Sequence, residues 1–155
     1  LVMPLLPPHW RALAAPPSLD SCSRDVYDPA LRLASAVVHR LLAGIAAAAA
    51  HLHRRGWSHG DLYAHNILWD GDAQAAAGGS AVLSDFGAAA RLLDGAAGQA
   101  QRRFEVRAWG LLAEELLDRC DAGMPALRAL AAACTQPVVA ARPDFDAVVA
   151  ELARG

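Results

Sequence analysis

The stretch His59-Gly60-Asp61-Leu62-Tyr63-Ala64-His65-Asn66-Ile67-Leu68, with Ser84-Asp85-Phe86-Gly87 downstream, decides how this sequence is read. Asp61 and Asn66 stand five apart on a short loop that runs into the apolar triplet Ile67-Leu68-Trp69. Asp85 opens the turn after a second apolar triplet, Ala81-Val82-Leu83. Short apolar runs bounded by Gly, Asp and Ser read as strands joined by turns. An acid, an amide and a second acid at the ends of such strands form a set suited to phosphoryl transfer. One carboxylate accepts the proton of an attacking hydroxyl, while the amide oxygen and the other carboxylate hold Mg²⁺ against phosphates.

The two motifs, in this order and 24 residues apart from Asp61 to Asp85, resemble the protein-kinase family, and specifically its C-terminal lobe. The family pattern is His-Arg-Asp-Leu-x-x-x-Asn followed by Asp-Phe-Gly; here only Gly60 departs from it, standing where the family has Arg. The resemblance implies a mostly α fold, a helical bundle with a short β-hairpin carrying the catalytic loop and Asp-Phe-Gly, as an incomplete α+β kinase fold. It implies Asp61 as catalytic base, Asn66 and Asp85 as metal ligands, and ATP and Mg²⁺ as cofactors. Met3, Pro4, Leu6, Leu68, Asn66 and Asp85 are the nucleotide-binding candidates. Met3 would lie at the back of the pocket, the Pro4 carbonyl and Leu6 N–H would face adenine, and Leu68 would lie beneath the ring. His59 and Phe86 are expected as a packed, hydrogen-bonding support.

Working outward, residues 1–6 resemble the strand and hinge between two lobes, 7–28 read as loop, and 29–155 as the C-lobe. A chain of 155 residues suits one core. Upstream of His59 there is no Gly-rich phosphate loop, and no lysine occurs anywhere, all 14 basic residues being Arg. A fragment lacking the N-lobe is therefore expected, with that lobe of the same kinase domain as partner. Asp28-Pro29 reads as a helix start. Leu33, Val37, Val38, Leu41, Leu42, Ile45 and Leu52 follow at helical spacing, and Gly56 ends the run. Glu105 to Leu117 resembles the central helix of the kinase lobe, whose first acid bonds the catalytic-loop backbone; Glu105 brings one methylene more than the usual Asp. Arg142-Pro143, before Phe145, Val148, Val149 and Leu152, resembles the arginine-bearing turn near the end of that lobe, without the Ala-Pro-Glu motif that normally answers it. Met124-Pro125 comes so soon after Cys120 that the helix usually following the central one is expected to be missing.

The departures bear on mechanism. Arginine before the catalytic Asp ordinarily answers a phosphate on the activation loop. Gly60 does not, and residues 88–104 contain no Ser, Thr or Tyr, so control by phosphorylation of this loop is not expected. Two positions past the base, Ser/Thr kinases carry Lys; this chain has Tyr63, with His65 or Arg91 as candidate substitutes.

Net charge of −2 and a pI near 6.3 give no basic footprint for nucleic acid. The run Ala43–Ala50 is too short to span a bilayer, no secretory pattern opens the sequence, and a cytoplasmic location is expected. Cys22, Cys120 and Cys134 lack metal spacing and read as reduced thiols. His9, His39, His51 and His53 read as surface or helix-end residues. Three functions compete. The first is ATP-dependent transfer to protein Ser/Thr hydroxyls, favoured by the Arg142-Pro143 turn and the helix start at Glu105. The second is a small-molecule phosphotransferase resembling aminoglycoside or choline kinases, favoured by His-Gly-Asp. The third is a catalytically inactive binding module, against which the retained Asp61, Asn66 and Asp85 argue.

Overall fold

The computed structural model describes residues 5–76 and 79–154. Two long helices form the centre. Helix α1, Ser35–Arg54, buries Val37, Val38, Leu41, Leu42, Ile45, Ala46, Ala49 and Ala50 along one stripe, the spacing that 3.6 residues per turn imposes. By length and composition alone α1 could cross a membrane, with a mean hydropathy of 1.4; here its apolar stripe packs into the core. Helix α2, Gly95–Leu117, packs on α1 and buries Val106, Trp109, Leu112, Ala113, Leu116 and Leu117. The Trp109 indole N–H donates to the Leu42 carbonyl at 3.1 Å, satisfying a donor that burial would otherwise leave unpaired.

Two short helices complete the bundle. Helix α3, Pro125–Cys134, begins with proline in its first turn and packs on α2. Helix α4, Phe145–Leu152, is capped by Asp144, whose carboxylate accepts from the Ala147 N–H at 2.9 Å, and packs on α1. Only residues 118–124 separate α2 from α3, so no further helix stands between them, as expected from Met124-Pro125. At the α2–α3 crossing Gly110 has no room for a side chain: a Cβ there would lie 2.7 Å from Cys134 Cβ and 3.1 Å from the Ala131 carbonyl.

Two small antiparallel sheets close one end. Strands β1 (Arg11–Ala12), β3 (Ile67–Trp69) and β4 (Ala81–Leu83) form one, in the order β1-β3-β4. Strands β2 (Trp57–Ser58) and β5 (Ala90–Arg91) form the other, with Trp57 opposite Arg91 and Ser58 opposite Ala90. In the first sheet Ile67 pairs with Leu83 and Leu68 with Val82. Alternation sends Ile67 and Trp69 into the core and leaves Leu68 half-buried on the outer face beside the exposed Val82.

The sequence reading needs three corrections, and one expectation lies mostly outside the described residues. Asp28 does not cap α1: its carboxylate accepts from the Ala30 N–H at 2.8 Å in a local turn. The helix waits until Ser35, because the Leu33 N–H bonds the Arg119 carbonyl and the Ala34 N–H bonds Ala73, both at 2.9 Å. Those long-range bonds hold the chain extended. Residues 7–28 are not all loop, since β1 lies in them and Ala15 and Val26 form an antiparallel bridge. Met3 and Pro4 fall outside the described residues, while Leu5 and Leu6 belong to no strand and Leu5 is fully exposed. Finally, α2 starts ten residues before Glu105, at Gly95, so most of the segment after Gly87 is helix.

Candidate active site

The loop from His59 to Asn66 joins β2 to β3, and buried partners hold each part of it. At its start, His59 Nε2 lies 2.9 Å from the Ser84 carbonyl, and its ring meets Phe86 edge to face with centroids 4.9 Å apart. The expected support is in place. The Gly60 N–H donates to Glu105 Oε1 at 2.8 Å. Glu105 Oε2 is 2.6 Å from His53 Nε2, and both side chains are buried. The longer Glu thus reaches the loop backbone as its place at the head of the central-helix motif implied. His53 lies in the last turn of α1, a helix end as expected, but is buried there as the partner that orients Glu105.

Asp25 governs the other half of the loop. Its fully buried carboxylate accepts from the Ala64 N–H and the His65 N–H, each at 3.0 Å, and lies 2.6 Å from His65 Nδ1. Three such bonds compensate the cost of burying a charge. Nothing in the local sequence distinguishes Asp25 from an ordinary loop acid; it is found only because the chain folds back over 40 residues.

Within this frame Asn66 donates through Nδ2 to the Asp61 carbonyl at 3.0 Å and to Asp61 Oδ2 at 2.9 Å. Neither bond uses Asn66 Oδ1, and Asp61 keeps its other carboxylate oxygen free of that amide. Asp61 borders an open cleft of about 530 Å³, shared with Tyr63 and His65 on the loop and with Cys22, Ser23 and Arg24 across from it. Asp85 sits just beyond β4. Because Ile67 pairs with Leu83 and the Ser84 N–H bonds the Asn66 carbonyl at 2.8 Å, Asn66 and Asp85 flank the same end of the β3–β4 hairpin. Asp85 adopts φ 53°, ψ 77°, a left-handed conformation, and Oδ1 accepts from the Gly87 N–H at 3.1 Å. A non-glycine residue held there is a feature that clusters at functional sites.

Two hard oxygen donors, one amide and one carboxylate, fit Mg²⁺, which takes few protein ligands and completes its shell with water and substrate phosphates. Among the described residues no group of three or more His, Cys, Asp or Glu is placed to hold a metal without such help. Arg91, one candidate cation for position 63, stacks on Trp57 instead, 4.9 Å from the ring centre.

A model of the lipopolysaccharide kinase (Kdo/WaaP) family matches residues 10–102. The chain belongs to this family. A search of curated proteins gives no match. Kdo/WaaP proteins form a kinase family with a protein-kinase-like fold, so the kinase resemblance stands at that level. The matched span contains Asp25, Gly60, Asp61, Asn66 and Asp85, whereas Glu105 and the Arg142-Pro143 turn lie beyond it. Those last features had favoured a protein acceptor, and the family described favours the small-molecule alternative. Arg142 itself is buried and gives its N–H groups to the carbonyls of Gln136, Arg103 and Pro137. It needs no carboxylate partner to be satisfied, which accounts for the absence of an Ala-Pro-Glu motif.

Proposed function

We propose that this domain carries the base and metal ligands of an enzyme that transfers the γ-phosphoryl group of ATP to a sugar hydroxyl of lipopolysaccharide. The observation that carries the reading is the Asp61–Asn66 pair, locked together by two hydrogen bonds at the hairpin end where Asp85 also projects. Family membership supplies the acceptor class. Asp61 receives the proton of the acceptor hydroxyl, and holding it against Asn66 fixes its direction of approach. Asn66 Oδ1 and Asp85 would hold Mg²⁺, which supplies charge neutralisation of the nucleotide phosphates. Leu68 and Val82, on the outer face of the sheet, offer an apolar surface for adenine, with an N-lobe of the same protein covering it. Use of ATP fits the expected cytoplasmic location. Transfer to protein Ser/Thr hydroxyls has less support, because the features that favoured it lie outside the family match.

The test uses the full-length protein with ATP–Mg²⁺ and lipopolysaccharide. Asp61→Asn is expected to abolish phosphate incorporation while leaving nucleotide affinity, measured by calorimetry, unchanged. Transfer at the wild-type rate would remove Asp61 from the role of base.

A further inference from the structure

In phosphoryl transfer the group in flight carries charge on three equatorial oxygens, and catalysis depends on cations fixed around it. Tyr63, two positions past Asp61, has no charge to offer. The structure brings a cation to that place from another segment. The Arg24 guanidinium lies 4.4 Å from the centre of the Tyr63 ring, in the cleft that Asp61 and His65 also line. Its Nη2 reaches the Leu62 carbonyl at 3.4 Å, tying it to the loop between Asp61 and Tyr63. Its Nε is buried without a hydrogen-bond partner, with Glu115 Oε1 at 3.5 Å.

Glu115 pairs with Arg24 only on the Nε side of the guanidinium. Its other oxygen accepts from the Tyr27 hydroxyl at 2.9 Å, and a second guanidinium, Arg119, lies 3.9 Å over the Tyr27 ring beside it. Arg24 and Arg119 share Glu115, and the buried Asp25 carboxylate is also near it. His65 is the weaker source of charge, since its Nδ1 is bound to the Asp25 carboxylate, which offsets any positive charge on the ring.

We propose that Arg24 is a catalytic residue: beside Asp61 it stabilises the transferring phosphoryl group where position 63 carries no cation. This rests on the phosphoryl-transfer reading of Asp61. In that step the acceptor hydroxyl oxygen bonds to the γ-phosphorus and its proton passes to the Asp61 carboxylate. The bond from the γ-phosphorus to the bridging oxygen breaks, and its electron pair leaves on ADP. Arg24 donates hydrogen bonds to the phosphoryl oxygens during the transfer.

Arg24→Gln, Arg24→Lys and the double variant Arg24→Gln/Tyr63→Lys are compared in the full-length protein by two readouts. One is steady-state transfer to lipopolysaccharide. The other is calorimetric affinity for ADP–Mg²⁺ with and without aluminium fluoride, a mimic of the phosphoryl group in flight. Arg24→Gln is expected to lower kcat about 100-fold with the KM for ATP unchanged, and to lose the gain in affinity that fluoride confers while keeping affinity for ADP. Arg24→Lys keeps part of both. Moving the cation to position 63 restores part of both, which a merely structural role for Arg24 would not allow. An unchanged kcat, or a loss confined to the acceptor KM, overturns the proposal. So does an undiminished fluoride effect, which is read even where lipopolysaccharide is not the acceptor. Asp61→Asn separates the two readings: if it remains active, the base assignment fails, whereas an inactive Asp61→Asn beside a fully active Arg24→Gln removes Arg24 alone.

Discussion

Position 60 has no space for a side chain. Gly60 adopts φ +83°, and a Cβ there would lie 2.3 Å from the Ala88 carbonyl oxygen. The motif places an arginine at this point in kinases that answer an activation-loop phosphate. In this chain the Ala88 carbonyl occupies that place, so an arginine at position 60 would not fit without displacing it. Gly60→Ala is expected to cost roughly 2–4 kcal/mol, from the left-handed conformation and the forced displacement of Ala88. The melting temperature should fall by about 10 °C, and calorimetry would check it; an unchanged melting point would mean the contact relaxes freely. The nearness of Asp61, Asn66 and Asp85 was legible from their spacing because motif residues sit close together in the chain. Asp25 was not, because it acts on the loop from a distant segment, and the role of His53 was not, because it acts through Glu105, 52 positions away.

Helices α1 and α2 show how periodicity and tertiary bonding divide the work. The apolar stripe of α1 follows from the sequence, and Gly56 follows its end as expected. Its beginning does not, since the bonds from Leu33 to Arg119 and from Ala34 to Ala73 override the Asp28-Pro29 start signal. The early start of α2 was hidden too. Residues 95–104 are rich in Gly, Ala and Gln and have no apolar stripe of their own, so their helix continues one whose buried face lies further on. The α2–α3 crossing depends on Gly110. Gly110→Ala places a methyl 2.7 Å from Cys134 Cβ. Overpacking costs about 1–3 kcal/mol, against a gain of about 1 kcal/mol in helix propensity. A net loss of stability is expected in denaturant titration, and a gain would show that α3 can shift away.

The whole molecule offers a chemical test of its core. Burial pushes the Cys134 thiol up from 9.0 to about 12, whereas Cys22 is exposed. At pH 8 a thiol-alkylating reagent is expected to modify Cys22 in the native protein and to reach Cys134 only when the fold opens, as peptide mass spectrometry would show. Rapid native labelling of Cys134 would contradict the packing of α2 on α3. Because the thiol is held neutral in the folded state, its contribution is present below pH 9.0 and is lost as pH rises from there towards 12. Stability should therefore fall through that interval.

The sequence by itself determined that an acid, an amide and a second acid stand beside two short strands, next to a long apolar-striped helix. Local spacing and periodicity encode such features directly. Only the tertiary structure decided that Asp25 holds the loop, that Glu105 and His53 anchor its start, and that Arg24 lies over Tyr63. Arg24 and Asp25 are 38 or more positions from the loop groups they touch, and Glu105 is 45 from Gly60 and 52 from His53; they meet only because burying the apolar faces of α1 and α2 folds the intervening chain back on itself.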